Sequence, residues 1–322
     1  YRDPILAQAA ARGNAAQLRE WLGPQARVEW PPQLGSETLT GVGLAILRHG
    51  SGPAAQCVFL DYGPHGGGHG HFDKLNLMLY ANGREWLLDP GRLTYSHKEY
   101  KTWVKTSAAH NTITLDGRNQ TAHTGDLLWF TPSAAGAACA AQSRQSYPGA
   151  LLTRYLALED RLLVDVVEVQ TSSKSQIDLL AHALADQLVP PDSTPVGEPI
   201  QPGGTGGYPH LTDATVRRFS GDSRWAFAAG SLRLTVWLIH EPGEQLIAAH
   251  GIGYHVGQKT PTLIRRRNDR STRFICVYDL SGDGSFVRGV RAGVKRDAIR
   301  VEVDTVSGPR RFGFTPAGLS AP

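Results

Sequence analysis

The chain has 322 residues, of which 41% are hydrophobic and 19% are charged, a composition typical of a globular protein with a sizeable buried core. No apolar run is long enough to span a bilayer. No basic-then-apolar segment stands at the start, so we expect a signal peptide to be absent or already removed, and Tyr1 in place of Met favours a processed or truncated chain. The net charge of +4 comes without a nucleic-acid-binding motif, so we expect neither a nucleic-acid nor a membrane partner.

The first 35 residues predict a short helical stub. Asp3 is placed to cap a helix whose first residue is Pro4. Asn14 is placed to cap a second helical turn, and Gly23-Pro24 supplies a stop signal.

From residue 36 onward, apolar and polar residues alternate with a period of two, which predicts strands. Short connections favour antiparallel pairing, with hairpin turns at Asn82-Gly83 and Glu159-Asp160. We therefore expect a mainly β protein, with a large antiparallel β-sandwich over residues 36–322 preceded by the helical stub at residues 1–35. A long Pro/Gly-rich loop is expected between Pro190 and Pro209. The predicted strands lie in GVGLAILRHG, QCVFLDYG, LNLMLYANGREWLLD, HNTITLDG, LTRYLALEDRLLVDVVEVQ, LRLTVWLIHE, RFICVYDL and AIRVEVDTVSGPRRFGF.

The densest basic run is Arg265-Arg266-Arg267. Strand alternation predicts that one of these side chains points inward and that two lie in solvent. The three cysteines are widely spaced and predict no disulfide framework: Cys57, Cys139 and Cys276.

The stretch GPHGGGHGHFDKL at residues 63–75 sets three histidines and an aspartate among glycines. Its polar residues are His65, His69, His71 and Asp73. Residues two apart in an extended chain face the same way, so His69 and His71 point together, and the glycines allow the backbone to approach another surface closely. Downstream, Asp89 ends one predicted strand and His110 begins another. Two imidazoles and a carboxylate at strand ends form a plausible zinc set with one open position.

Spacing alone does not bring these groups together. The hairpin at Asn82-Gly83 would put Asp89 opposite Asn76, from which His71 is about 16 Å of fully extended chain away. A shared site therefore requires the glycine-rich stretch to curl back toward the sheet.

Three segments resemble one known family. GHGHFDKLNLMLYANGREWLLDPG, TYSHKEYKTW and TSAAHNTITLDG, in this order, resemble the C-terminal β-sheet domain of the heparinase II/III-like polysaccharide lyases, which include heparin lyases and exo-acting oligoalginate lyases. The resemblance is dense over residues 57–117 and less distinctive in the later strands. In that family an HxH pair, an Asp before a glycine turn and the His of an AHN segment recur in this order.

The resemblance implies roles for these residues. His71, Asp89 and His110 would hold a zinc ion, which we expect to be structural, and His69 would face the substrate. A cleft tyrosine is implied between the Asp and the AHN segment, where Tyr95 matches best and Tyr100 is the second choice. The family also has an N-terminal α/α toroid that contributes substrate-binding and proton-transfer groups. We expect residues 1–35 to be a remnant of this toroid, and the toroid domain or chain to complete the cleft.

The same resemblance implies a lyase that cleaves a uronic-acid-containing polysaccharide by β-elimination, in the periplasm or outside the cell. The substrate would be a glycosaminoglycan such as heparin or heparan sulfate, or alginate. We expect His69 to neutralise the substrate carboxylate or take the C5 proton, and Tyr95 to donate a proton to the leaving oxygen. Arg92 is a candidate ligand for a substrate carboxylate, and a solvent-exposed turn arginine explains this residue equally well.

A β-sandwich of this kind also occurs in two other classes of carbohydrate-active protein. A non-catalytic carbohydrate-binding β-sandwich, with zinc stabilising its binding loop, is the alternative to the lyase. A glycoside hydrolase would require a pair of acidic residues in a cleft, and the sequence singles out no such pair.

Overall fold

The computed structural model describes residues 14–25, 34–91, 93–192, 194, 196–219, 221–295 and 298–319. One α-helix, α1, covers Ala15–Leu22 of this part. Asn14 caps it, because its side-chain oxygen accepts hydrogen bonds from two first-turn amides at 3.1 and 3.2 Å, and the chain leaves the helix at Gly23. The predicted cap at Asn14 is therefore confirmed, and that at Asp3 lies outside the described residues. No described helix is long and apolar enough to cross a membrane.

The first sheet is an antiparallel meander of five strands in chain order. The strands are β1 (Glu37–Leu39), β2 (Leu44–His49), β3 (Gln56–Asp61), β4 (Leu77–Ala81) and β5 (Arg84–Leu87). The predicted hairpin at Asn82-Gly83 is confirmed: both residues have positive φ, and Ala81 pairs with Arg84.

The second sheet has twelve strands. They are β6 (Ile113–Leu115), β7 (Asp126–Ser133), β8 (Gly136–Ser143), β9 (Ala150–Glu159), β10 (Leu162–His182), β11 (Gln187–Val189), β12 (Glu198–Pro199), β13 (Thr212–Arg218), β14 (Ser223–Ala229), β15 (Leu232–Ile239), β16 (Gln245–Ile252) and β17 (Lys259–Asp279). The spine is the antiparallel pair β10 and β17, each of 21 residues, with a bulge between Gln170 and Ser175. On one side of the bulge this pair is flanked by β9 and β15, and on the other by β6 and β16.

The third sheet contains four strands in chain order. They are β18 (Val287–Lys295), β19 (Ala298–Thr305), β20 (Gly308–Thr315) and β21 (Gly318–Leu319). The described chain also forms short helical turns at Gly52–Ala54, Gly67–His69, Tyr100–Val104, Ser107–Ala109 and Tyr208–His210.

Both faces of the second sheet are covered. One face packs on the first sheet through residues such as Leu156 and Leu163, in the largest buried apolar cluster. The alternating neighbours Tyr155 and Val164 belong to a second cluster, shared with Phe314 of the third sheet. The first and third sheets therefore lie on opposite faces of the second sheet, and the predicted antiparallel β-sandwich is confirmed with a third layer added.

The prediction for Arg265-Arg266-Arg267 is wrong. All three side chains are buried, because β17 is paired on both edges and covered on both faces. Each guanidinium is compensated by a carboxylate: Arg265 contacts Glu244, Arg266 contacts Asp178 and Arg267 contacts Asp269.

Three further predictions concern the cysteines, the Pro/Gly-rich loop and the domain division. None of the three cysteines forms a disulfide. Between β11 and β13 the described residues form only the two-residue β12 and the turn at Tyr208–His210, so the predicted long loop is largely confirmed. The division of the chain at residue 35 into a toroid remnant and a β domain stays a prediction.

Candidate metal centre and catalytic pair

The glycine-rich stretch connects β3 to β4 and folds back on itself. Gly66 and Gly67 adopt left-handed φ values of 78° and 62°. Gly70 lies so close to the preceding chain that a Cβ atom there would stand 1.3 Å from the carbonyl oxygen of His65. Only glycine fits this crossing.

The stretch then returns to the first sheet. The amide of Phe72 donates to the carbonyl of Lys105 at 3.0 Å. Leu75, with φ of 64°, reverses the chain, and its amide donates to the carbonyl of Asp61 at 2.7 Å. Because the chain reverses here, His71 lies much closer to Asp89 than it would in an extended chain.

Four side chains converge where β4 and β6 begin and β5 ends. Donor atoms of His71, Asp73, Asp89 and His110 all lie within 4.8 Å of one another. The Nε2 atom of His110 is 3.1 Å from Nδ1 of His71, 3.5 Å from Asp89 Oδ2 and 3.9 Å from Asp73 Oδ2. The structure thus brings His71, Asp89 and His110 together and adds Asp73 to them.

Hydrogen bonds orient two members of this cluster. His110 is fully buried, and its Nδ1 lies 2.8 Å from the carbonyl of Thr106. Since a carbonyl only accepts, Nδ1 carries the proton and Nε2 turns its lone pair toward the cluster. Asn76 donates to Asp89 Oδ2 at 3.1 Å and accepts from the amide of Asn111 at 2.9 Å.

The pKa values of His71 and Asp73 are both lowered, which favours the deprotonated forms that can bind a cation. Burial and the neighbouring His110 lower the pKa of His71, so its neutral form is favoured. For Asp73, burial acts to raise the pKa, but His110 and Lys74 outweigh it and the pKa falls. Lys74 also binds Asp61 at 2.5 Å, while burial and Asp73 raise the pKa of Asp61 to about 6.

The four donors fit a zinc ion. Two imidazole nitrogens and two carboxylate oxygens are a donor set that zinc accepts, and ligand nitrogens around a tetrahedral zinc lie about 3.3 Å apart, close to the 3.1 Å between His71 and His110. Asp73 Oδ1 is paired with Lys74 Nζ at 3.1 Å, which leaves Oδ2, 3.9 Å from His110 Nε2, as the oxygen of Asp73 nearer to the other donors.

His69 and Tyr95 form a second, more exposed group next to the cluster. The hydroxyl of Tyr95 lies 2.8 Å from Nδ1 of His69, and half of the Tyr95 surface is exposed. Tyr100 is buried and packs edge-on against the ring of Tyr95, with centroids 4.8 Å apart. The structure thus places Tyr95, rather than Tyr100, beside His69. Arg92 lies outside the described residues.

Sequence reasoning missed three residues of this region. Asp73 stands two residues after His71 and shares its face, and this spacing was a usable signal for a fourth ligand. Asn76, which orients Asp89, and Lys105, whose Nζ donates to the carbonyl of Gly68 at 3.0 Å, carry no such signal, because their partners depend on how the glycine-rich stretch folds.

Fold and site together define a layered antiparallel β protein that carries a histidine–aspartate cluster beside a histidine–tyrosine pair. Residues 32–250 match the family described as heparinase II/III-like, C-terminal. The chain belongs to this family.

Relatives agree with this assignment. The chain is 30% identical over 164 residues to an alginate lyase of Stenotrophomonas maltophilia, covering 44% of this chain and 22% of that protein. It is 32% identical over 160 residues to an exo-oligoalginate lyase of Saccharophagus degradans, covering 42% of this chain and 22% of that protein. A crystal structure of a heparan sulfate lyase from Pedobacter heparinus shares the fold, with a TM-score of 0.69 at 14% identity, over 99% of this chain and 49% of that one. The chain thus spans about half the length of that structure.

Proposed function

We propose that the protein is a polysaccharide lyase that cleaves a uronic-acid-containing polysaccharide by β-elimination. The observation that carries the proposal is the contact of 2.8 Å between His69 Nδ1 and the Tyr95 hydroxyl, next to the four-donor cluster, in a chain of this family. The names of the relatives, alginate lyase and exo-oligoalginate lyase, support the reaction class. We propose alginate or a glycosaminoglycan such as heparan sulfate as the substrate.

The reaction requires three tasks. The uronate carboxylate must be neutralised to acidify the C5 proton, a base must take this proton, and an acid must protonate the 4-linked oxygen as its bond to C4 breaks. A histidine and a tyrosine within hydrogen-bonding distance of each other can divide such proton transfers. In our proposal, His69 neutralises the carboxylate or takes the C5 proton, and the Tyr95 hydroxyl donates a proton to the leaving oxygen.

A zinc ion, held by His71, Asp89 and His110 together with Asp73, would supply structural cross-linking. It would join the glycine-rich stretch to the residues that follow β5 and precede β6. His69 is two residues from His71, so fixing one limits the movement of the other. Ordering a segment so rich in glycine costs conformational entropy, which metal ligation offsets.

The proposal includes partners outside the described residues. Arg92 would bind a substrate carboxylate. An N-terminal α/α toroid, as a domain or a separate chain, would complete the cleft, and the protein would act in the periplasm or outside the cell.

The test is the formation of unsaturated uronate, followed by its ultraviolet absorbance. The toroid-containing protein is incubated with alginate, heparan sulfate, hyaluronan and chondroitin sulfate, with Tyr95→Phe as the control. Absorbance should rise with one of these polymers and should be lost in Tyr95→Phe, which keeps the ring that packs on Tyr100. Binding to a polymer without any product would instead favour the carbohydrate-binding β-sandwich.

A further inference from the structure

The outer face of the third sheet carries a group of charged side chains. Alternate residues of β18, β19 and β20 pack inward on the second sheet, including Val301 and Phe312. Their neighbours in each strand face outward. The outward-facing charged residues of these strands include Arg291, Lys295, Arg300, Glu302, Asp304 and Arg311.

This face contains a trough. Arg300 of the central strand β19 has Gly293 of β18 as its partner on one side and Gly313 of β20 on the other. Because neither partner has a side chain, a groove of about 350 Å³ opens along the sheet. A Cβ atom added at Gly293 would meet nothing within 4 Å, so the space there is open.

The trough is net positive. Four cations face two carboxylates, which leaves a formal charge of +2 on this surface. Arg291 lies 3.2 Å from Asp304 and Arg311 lies 3.0 Å from Glu302, yet their side chains remain 72% and 58% exposed. Both arginines therefore keep donors that face solvent, since a guanidinium has five N–H groups.

The lining favours an acidic sugar over a nucleic acid. Guanidinium and ammonium groups bind carboxylates or sulfates, and the carboxylates of Glu302 and Asp304 can accept hydrogen bonds from sugar hydroxyls. Single-stranded nucleic acids are held largely by stacking of their bases on aromatic side chains. Phe312, the aromatic among the described residues that line the trough, is buried against the second sheet and offers no face for such stacking. A volume of about 350 Å³ falls within the range of small-ligand sites.

We propose that this trough is a second binding site, which holds an acidic oligosaccharide segment of the polymer away from the reacting bond. The substrate class rests on the proposed function. The site is separate from the metal centre, because the third sheet and the first sheet lie on opposite faces of the second. Its role would be to retain long chains, whereas short oligosaccharides would be processed without it.

The test compares two ways of disabling the trough. Lys295→Ala/Arg311→Ala removes two exposed cations, and Gly293→Tyr fills the groove without changing the charge. The control, Lys174→Ala/Arg270→Ala, removes two exposed cations near the bulge of β10 and β17. The dissociation constants of size-defined alginate and heparin oligosaccharides are measured by calorimetry, with a DNA oligonucleotide as a third probe.

Lys295→Ala/Arg311→Ala should weaken binding of an acidic oligosaccharide about three- to tenfold, as expected for the loss of two solvent-screened ionic contacts. Gly293→Tyr should also weaken it, because the new ring occupies the groove, and the control should not. KM should rise for the long polymer and stay constant for a trisaccharide. Unchanged affinity in both trough variants, or equal losses in the control, would overturn the proposal, as would DNA binding that depends on the same residues. A protein that cleaves no polymer but binds through the trough would refute the lyase proposal alone.

Discussion

His69 and His71 are separated by one glycine, yet their rings contact different groups. Nδ1 of His71 lies 3.1 Å from Nε2 of His110 within the four-donor cluster, whereas Nδ1 of His69 lies 2.8 Å from the hydroxyl of Tyr95, a residue that is half exposed. Alternation alone would place both rings on one face. The helical turn Gly67–His69 ends at His69 and the extended chain resumes at Gly70, so the two rings diverge.

This divergence predicts two distinct phenotypes. His71→Ala and His110→Ala should lose bound zinc and lower the melting temperature, because a structural site contributes folding energy directly. His69→Ala should keep zinc and melting temperature while turnover falls about a hundredfold to ten-thousandfold, the usual effect of removing a positioned acid or base. Metal analysis, calorimetry and the unsaturated-product assay measure the three quantities. Zinc loss in His69→Ala would mean that the two roles are reversed.

Lys105 forms hydrogen bonds on both sides of the segment His69-Gly70-His71. Its ammonium donates to the carbonyl of Gly68 at 3.0 Å, just before His69, and its own carbonyl accepts from the amide of Phe72 at 3.0 Å, just after His71. The Ser107 hydroxyl adds a bond of 2.5 Å to the carbonyl of Phe72. A single short stretch of chain therefore sets the position of both histidines.

We expect Lys105→Met to lower kcat by up to about a hundredfold, the cost of a catalytic group displaced by 1 Å, with KM, zinc content and melting temperature nearly unchanged. The matched control is Lys101→Met, an exposed lysine on the preceding turn. Lys105→Arg should recover most of the activity, because it can still donate to Gly68. A rise in KM at constant kcat would instead identify Lys105 as a substrate contact.

At the scale of elements, the glycine-rich stretch offers a matched pair of positions. A methyl group at Gly70 would collide with the backbone of His65, whereas one at Gly68 would meet nothing within 4 Å. Gly70→Ala should therefore reopen the loop and reduce zinc content and thermal stability together, at a cost of about 1–3 kcal/mol or more. Gly68→Ala should leave both unchanged. Equal behaviour of the two variants in metal analysis and calorimetry would show that the crossing at Gly70 does not form.

Strand prediction succeeded where apolar and polar residues alternate and failed where they do not. The segment of β8, GAACAAQS, is nearly all buried but consists largely of alanine, so it lacks the period-two contrast that marked its neighbours β9 and β10. The paired length of β10 and β17 was also missed. It depends on contacts between residues about 100 positions apart, such as Val164 with Val277.

At the scale of the whole molecule, the β-sandwich class followed from pattern and turn chemistry, but the third layer did not. Its strands were predicted in part, and nothing local indicated that they would cover the back of the second sheet. The burial of Arg265 and Arg266 was missed for a similar reason, because their partners Glu244 and Asp178 come from distant parts of the chain, whereas a single strand would leave part of the run in solvent. Resemblance brought His71, Asp89 and His110 together, which spacing could not do.

Global stability should depend on pH through a buried histidine outside the four-donor cluster. His182 is fully buried between the carbonyl of Ala108 and the hydroxyl of Thr262, at 2.9 and 2.8 Å. Burial lowers its pKa to about 3, against about 6.5 in an unfolded chain. Between pH 6.5 and pH 3, His182 therefore binds a proton in the unfolded chain but stays neutral in the folded chain. Stability is fully present above pH 6.5 and falls as the pH drops toward 3.

Asp61 acts in the opposite sense, because its pKa is raised to about 6 in the fold, so the variant His182→Gln is needed to isolate the histidine. Glutamine can replace both hydrogen bonds but does not titrate. The difference in unfolding free energy between the wild type and His182→Gln should shrink by up to about 1.4 kcal/mol per pH unit below 6.5. Urea unfolding at pH 8.0, 6.5, 5.5 and 4.5, with chelator in every sample, measures this difference. The series extends about two pH units below the pKa of an unfolded histidine, the range over which the stabilisation is lost. A constant difference across the series would show that His182 is protonated equally in both states.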